Sequence, residues 1–506
     1  MTSETRSGQP STLLPRLAMA AICGSILLTI SLGLLGPSAF VPALGGPAWH
    51  PPYSLVLHPS PYLVVVLAAV ALLLGGLGLL AALLAIRRLP PPAGMPAARV
   101  LVLVGCVVAA LLAFLPPSGS GDHLNYAAYG RMVVLGVDPY THGAVDLSGD
   151  PIADAVEAPW REEPSVYGPV ATAVQGLASW GGGDSVRLTI FVLALFNAAA
   201  FIVTGLLIDR FTRDDPARRL RAALLWTANP LLLYQLVAGM HIDTLAIACM
   251  VAALLARSRP LGSGVLLGLG VAIKLNAGLV ALGPAWELRR RPVQLALMAG
   301  AAVAVVVVGY AVVGADAVAP VTRTSKSISH ASFWKLVQGW LQELVGVGRA
   351  YRGEIQVGSL LVLALVAWSL FRLASRAPGA TPSAPSAGGV QGGLSAEVVA
   401  AVLVCAYVFA TPYVLPWYDG LAFAMLALVA ASALDGFLAL HLLVLSLAYL
   451  PARVVGQPQD LEWLRTVVRA QVVPWLLLGL TIGLVGWAWR AGGRVRRPPV
   501  PAAPPP

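Results

Sequence analysis

An all-α polytopic integral membrane protein is the fold class this sequence predicts, and three observations predict it. Hydrophobic residues fill 58% of the 506 positions and charged residues only 11%, where soluble domains carry about a quarter charged. Apolar runs of roughly 20 residues, enough for a helix to cross a hydrocarbon core, recur along the chain. The basic residues stand in short groups at the ends of those runs, as positive-inside topology requires.

Lipid-exposed backbone must be helical to satisfy its own polar groups, which places spans near 17–35, 61–86, 98–115, 188–208, 220–238, 242–257, 292–313, 355–375, 396–412, 414–432, 434–451 and 471–489. The first sixteen residues are polar and no small-residue cleavage site follows, so they read as a cytoplasmic tail ahead of a retained span. Residues 260–288 carry Lys274 and Asn276 at their middle, a pair costly in lipid unless it faces protein or water. Two short helices meeting there, as a re-entrant hairpin or as two tilted crossings, bring the expected number of transmembrane helices to about 13.

Charge orients the scheme. With the N-terminus inside, the short inward loops hold 21 of the 33 Lys and Arg residues, and Lys274, Lys326 and Lys335 all fall outside or at the hairpin tip. This clustering assigns the net charge of +10 to membrane topology and argues against nucleic-acid binding. Cys23, Cys106, Cys249 and Cys405 each lie within an apolar run, a pattern that indicates neither disulfides nor zinc. The resulting plan is a tail at 1–16, a membrane module at 17–376 with outward loops 116–187 and 314–354, a Pro, Ser and Gly-rich linker at 377–395, further spans at 396–490, and a Pro-rich tail at 491–506.

The longest polar island runs from Gly121 to Pro169. Asp122 follows the third span closely, at the depth where a general base would meet a lipid-tethered sugar donor; the plainer role is to cap the short amphipathic helix after it, which ends at Gly136. Tyr126 and Tyr129 share a helix face with Asp122 and suit interfacial anchoring or sugar contact. Trp160 and Tyr167 offer flat faces to a sugar, and Arg161 a fork for phosphate. His241 and Asp243 occupy a tight outward turn, too few ligands for a metal; Asp243 also suits a helix cap.

Lys274 is a cation at membrane depth, to be paired with a lipid phosphate or with a protein carboxylate. Arg323, Lys326, His330 and Lys335 form a basic group next to the amphipathic WKLVQGWLQELV, which fits the interface. Anionic lipid heads or a donor phosphate would suit that group. Tyr413, Trp417, Tyr418 and Asp419 close another outward turn, an aromatic belt or a sugar platform.

Taken together, GDHLNYAAYG with GVDPY, then APWREEPSVYGP, GMHIDTLA and PYVLPWY resemble the actinobacterial polyprenol-phosphate-mannose-dependent α-1,6-mannosyltransferases. The resemblance runs from about Pro117 to Trp417. It implies a GT-C glycosyltransferase fold, with short interfacial helices in the long outward loop and the active site on the extracytoplasmic face of the plasma membrane. It further implies inverting transfer of mannose from polyprenyl-phosphate-mannose to a glycolipid mannan acceptor, in the lipomannan core. Asp122 would be the base and no metal or other cofactor is expected. Lys274, Arg161, Arg323 and Lys326 would bind the donor phosphate; Tyr126, Tyr129, Trp160, Tyr167, His241, Asp243 and Trp417 would line the sugar and acceptor sites. The chain departs from the family in having Ile242 before Asp243, where Asn is common, and in placing the long loop after the third span. The alternatives are a lipid-linked sugar flippase or transporter, a GT-C enzyme using arabinofuranose, and a non-catalytic scaffold.

Overall fold

A computed structural model describes residues 13–87, 94–376, 394–453 and 455–493. Every regular element among them is helical. Six helical stretches are long and apolar enough to cross a membrane: Leu13–Leu35, Pro61–Ile86, Val186–Thr212, Pro292–Val313, Arg352–Ala374 and Gln459–Gly493. Shorter apolar helices stand beside them at Ala98–Ala113, Asp243–Leu255, Pro260–Ile273, Ala396–Ala410 and Leu434–Ala448. The protein is membrane-embedded and polytopic. Of the linker and the two tails expected from composition, residues 1–12, 377–393 and 494–506 lie outside the described residues.

Two expected spans are interrupted. Residues 220–238 split into the Pro216–Leu225 helix, an unwound step and a wide π-turn at Leu233–Ala238. Asn229 starts the second half, its side chain accepting from the amides of Leu231 and Leu232. The run 414–432 yields a helix only over Asp419–Ala427, because the Pro416–Tyr418 turn delays its start. The outward loop also contains a helix at Pro169–Gly182, for which the sequence predicts no element; the Gly pair at its end and the polar Gln175 weaken its apolar signal.

Polar contacts mark the two ends of the bundle. At one end Arg221 grips Asp435 through two bonds of 2.7 and 2.6 Å, Arg219 holds Asp209, and Arg257 reaches Glu397 and Glu287. At the other end Arg131 joins Asp150 and Asp184, Arg453 meets Glu157, and Tyr62 donates to Asp460. Each of these contacts joins segments that the charge count assigns to one side.

The same logic decides the 260–288 stretch. The Pro260–Ile273 helix runs to an extended Lys274, and a 3₁₀ segment at Leu275–Ala281 and the Leu282–Leu288 helix lead back. Arg257 and Glu287 stand 3.4 Å apart, so the stretch ends beside its start: it is a hairpin with Lys274 at the tip. Asp243–Leu255 and Pro260–Ile273, with 13 and 14 residues, measure about 20 Å at 1.5 Å per residue. A hydrocarbon core is about 30 Å thick, so neither helix is long enough to cross one by itself.

Candidate active site

The segment that delivers Asp122 is clamped from both sides. Ser118 donates its amide to Ala238 at 2.8 Å and Gly119 to Phe40 at 3.0 Å. Gly119 has φ +82° and lies against Tyr234, where a Cβ would come within 3.0 Å of the phenol oxygen. Asp122 then opens the Asp122–Val134 helix in its first turn, one position inside the Gly121 cap, so capping is not its role. Its side chain keeps 31% exposure.

The facing histidine is positioned by the π-turn. The His241 amide donates to Leu236 at 3.1 Å, and the same carbonyl accepts from Asn197 at 2.6 Å. Such wide turns favour functional sites, and here one aims His241 Nδ1 at Asp122 Oδ2, 3.5 Å away. That is a long contact, of the kind that tightens when substrate arrives. Trp417 stacks on the imidazole with centroids 3.6 Å apart and planes 14° off parallel. The ring therefore has one orientation.

Burial pushes the Asp122 carboxyl up, but bonding to His241 and Ser120 outweighs it and leaves the group below its ordinary value. The neighbouring His123 is fully buried; burial, then the Arg453 charge, depress it to about 3. Asp122 is thus an anion at neutral pH beside a neutral His123.

Two tyrosines expected as interfacial anchors are interior instead. Tyr126 is 1% exposed, its hydroxyl 3.1 Å from that of Tyr167 and its ring edge-on to it. Both phenols are raised, first by burial and then by the charges around them, with Asp122 and Asp243 among these. Tyr129 donates to the Glu163 carbonyl at 3.0 Å, tying the loop's two halves. Ser165 donates to the Pro139 carbonyl at 2.7 Å, which brings GVDPY and SVYGP side by side. Gly168 explains the second motif: its amide donates to Ile273 at 3.0 Å, and a Cβ there would stand 2.2 Å from the Ala272 carbonyl. Only glycine lets this loop seat on the hairpin tip.

At that tip Lys274 Nζ lies 2.5 Å from Asp243 Oδ1 and 4.2 Å from the centre of the Tyr418 ring. Of the two partners expected for this cation, the protein carboxylate is the one present. Arg161 is held by Asp154 at 2.7 Å, Trp160 is 48% exposed, and Arg323 and Lys326 project from the exposed end of the Val318–Ser325 helix. The structure therefore gathers Asp122, Tyr126, Tyr167, His241, Asp243, Lys274 and Trp417, and leaves Trp160, Arg161, Arg323 and Lys326 on the rim. Trp417, 3% exposed, is no belt residue. Among the described residues no three His, Cys, Asp or Glu side chains converge to hold a metal.

Sequence reasoning missed a pair beneath the site. Asp419 Oδ2 and His441 Nδ1 are 2.8 Å apart, both buried, with Phe409 against the imidazole. His441 sits mid-helix in an apolar run and Asp419 was read as the edge of a turn, so no local signal joins them.

Comparison with known proteins adds independent evidence. The family model described as alpha-(1->6)-mannopyranosyltransferase, N-terminal domain, matches residues 19–290. Alpha-(1->6)-mannopyranosyltransferase A of Corynebacterium glutamicum is 31% identical over 167 residues, 33% of this chain and 34% of the relative. Protein A of Mycobacterium tuberculosis, of the same name, is 28% identical over 203 residues, 38% and 39% of the two chains. Alpha-(1->6)-mannopyranosyltransferase B of Corynebacterium glutamicum is 26% identical over 172 residues, 34% and 26%. The matched stretches thus span well under half the length of these relatives. No solved structure matches. The family match covers more than half of the chain and contains Asp122, His241, Asp243 and Lys274; the chain belongs to the alpha-(1->6)-mannopyranosyltransferase family.

Proposed function

We propose that the protein is an inverting, metal-independent GT-C enzyme of about 13 spans. It transfers mannose from polyprenyl-phosphate-mannose to an α-1,6-mannan glycolipid on the outer face of the plasma membrane. One observation carries the reading: a partly exposed carboxylate, Asp122, lies 3.5 Å from the buried imidazole of His241, on which Trp417 stacks, beside the ends of two short apolar helices.

Asp122 takes the proton of the acceptor hydroxyl as that oxygen attacks the anomeric carbon of mannose. The bond from that carbon to the phosphate oxygen breaks on the opposite face, and its electron pair leaves on polyprenyl phosphate. The leaving group is already an anion, so cations that meet its growing charge lower the barrier. His241 keeps the carboxylate aimed and ionised. Membership of a family named for α-1,6-mannosyl transfer supports mannose as the sugar and a mannan as the acceptor.

The buried Asp419–His441 pair favours a second reading, ion-coupled movement of a lipid-linked sugar, because ionisable pairs inside a bundle mark proton paths. Reconstituted protein given polyprenyl-phosphate-mannose and a short α-1,6-mannoside separates the readings. The enzyme yields a longer oligosaccharide, whereas a flippase moves the donor between leaflets with no new product. The arabinofuranosyl donor in the same assay tests the sugar: transfer from it alone would overturn the mannose assignment.

A further inference from the structure

Lys274 is neutralised by Asp243 and Arg161 by Asp154, so two of the four cations first expected to meet the donor's phosphate are already engaged, while Arg323 and Lys326 stand at the exposed end of the Val318–Ser325 helix. A different set stands on the other flank of Asp122. The loop before the Trp334–Leu344 helix docks on the Trp417 turn: Ser329 donates its amide to Pro412 at 3.1 Å, and its hydroxyl accepts from the Val414 amide at 3.0 Å. Ala331, Phe333 and Trp334 share a buried cluster with Leu445, Ala448 and Val473, and Ile328 and Val468 pack against it. This packing carries His330 and Lys335 to the π-segment Leu464–Val472, whose Arg465 and Arg469 lie four residues apart.

Arg469 is anchored by the carbonyls of Ala448 and Tyr449 at 2.7 and 2.6 Å, and its guanidinium lies over the Tyr449 ring at 5.3 Å. Tyr449 in turn meets Trp417 edge-on at 5.2 Å, and Trp417 stacks on His241. A continuous path of rings therefore links this cationic corner to the Asp122–His241 pair. None of the four residues forms an ion pair with a carboxylate among the described residues. Burial, then Lys335, Arg469 and Arg465, hold His330 below its ordinary pKa. Below the corner, Trp340 and Trp475 face each other at 5.8 Å, both substantially exposed, and offer an apolar track to a lipid chain.

We propose that His330, Lys335, Arg465 and Arg469 form the anion site that receives the phosphate of the polyprenyl-linked donor, an assignment that rests on the transfer reaction above. Lys335, Arg465 and Arg469, cations without a carboxylate partner, attract a phosphate where an internally paired lysine does not, and the His330 ring adds a hydrogen-bond donor beside them. The polyprenyl tail leaves along the Trp340–Trp475 face, and the sugar extends past Tyr449 to Asp122.

The test is binding of farnesyl phosphate, with farnesol as the uncharged control, to the full chain in nanodiscs of neutral lipid. The exposed His330 and Arg465 and the half-buried Lys335 are changed together, His330→Gln, Lys335→Gln and Arg465→Gln, and Lys335→Gln alone guards against misfolding. Each of the two lost Lys and Arg charges weakens binding about fivefold, the scale for basic residues near anionic lipid, while farnesol binding stays unchanged. Wild-type affinity in the triple variant would overturn the proposal. So would equal competition by phosphatidylglycerol nanodiscs, which would make the corner a general lipid-head patch, or loss of binding only on Lys274→Met. No sugar is present in this assay, so a failure of mannosyl transfer leaves its outcome independent.

Discussion

Replacing Lys274 by Met leaves the Asp243 carboxylate without its cation, and the structure sets the size of the penalty. The Asp243 side chain is 7% exposed and that of Lys274 16%, and the second Asp243 oxygen has no hydrogen-bond partner. Among the described residues no other basic side chain pairs with Asp243. Breaking a buried ion pair from one side costs about 3–5 kcal/mol; the partial exposure of Lys274 favours the lower end, about 3 kcal/mol, more than a hundredfold in the unfolding equilibrium. The contact holds the hairpin tip against the helix that follows His241, so the same change disorders the site and lowers transfer. Pairing Lys274→Met with Asp243→Asn removes both charges and recovers most of the lost stability, a coupling that a double-mutant cycle reads directly. Equilibrium unfolding in detergent measures stability and mannosyl transfer measures function. If Lys274→Met is as stable as wild type, or the double variant is no better than the single, the pair is not the tie described here.

Three further outcomes follow from the geometry. His241→Gln removes the contact that holds Asp122 below its ordinary value, so burial takes over and the carboxyl rises. The base works when ionised; the acid limb of the pH–rate profile, below about pH 4 in wild type, therefore moves to higher pH, and an unmoved limb would remove His241 from this role. Gly168→Ala puts a Cβ 2.2 Å from a backbone carbonyl; it displaces the hairpin tip and lowers activity, while Gly436→Ala, where a Cβ meets nothing within 4 Å, leaves both unchanged. Arg221→Ala strands Asp435, with both side chains 3% exposed, and costs about 3–5 kcal/mol in unfolding experiments.

How much of this was legible in the sequence depended on whether a signal was local. Pro61–Ile86 and Pro292–Val313 match their expected bounds, because a long uniform apolar run opened by Pro and closed by Arg or Gly has one reading. The broken 220–238 stretch does not, since a π-turn preserves the hydrophobic run while changing the backbone. Asp122, His241 and Lys274 stood out as polar residues beside apolar spans, yet their partners are set by tertiary contacts. Asp243 is 31 residues from Lys274 and Trp417 is far along the chain from His241. The tyrosines stay open between two roles in the sequence for a physical reason: at a membrane edge, Tyr suits the interface and the site equally, and only burial separates the two. Arg469 was hidden in the same way, its environment made by helices from three parts of the chain.

The central claim is that Asp122 is the base for mannosyl transfer. Its most direct test compares wild type with Asp122→Asn, reconstituted with polyprenyl-phosphate-mannose and a short α-1,6-mannoside, and follows chain extension. The account predicts a longer mannoside from wild type and a loss of roughly 100-fold or more in the variant, which folds normally because Asn keeps the size of the side chain. No extension by wild type, or more than about a tenth of its rate in the variant, would contradict it.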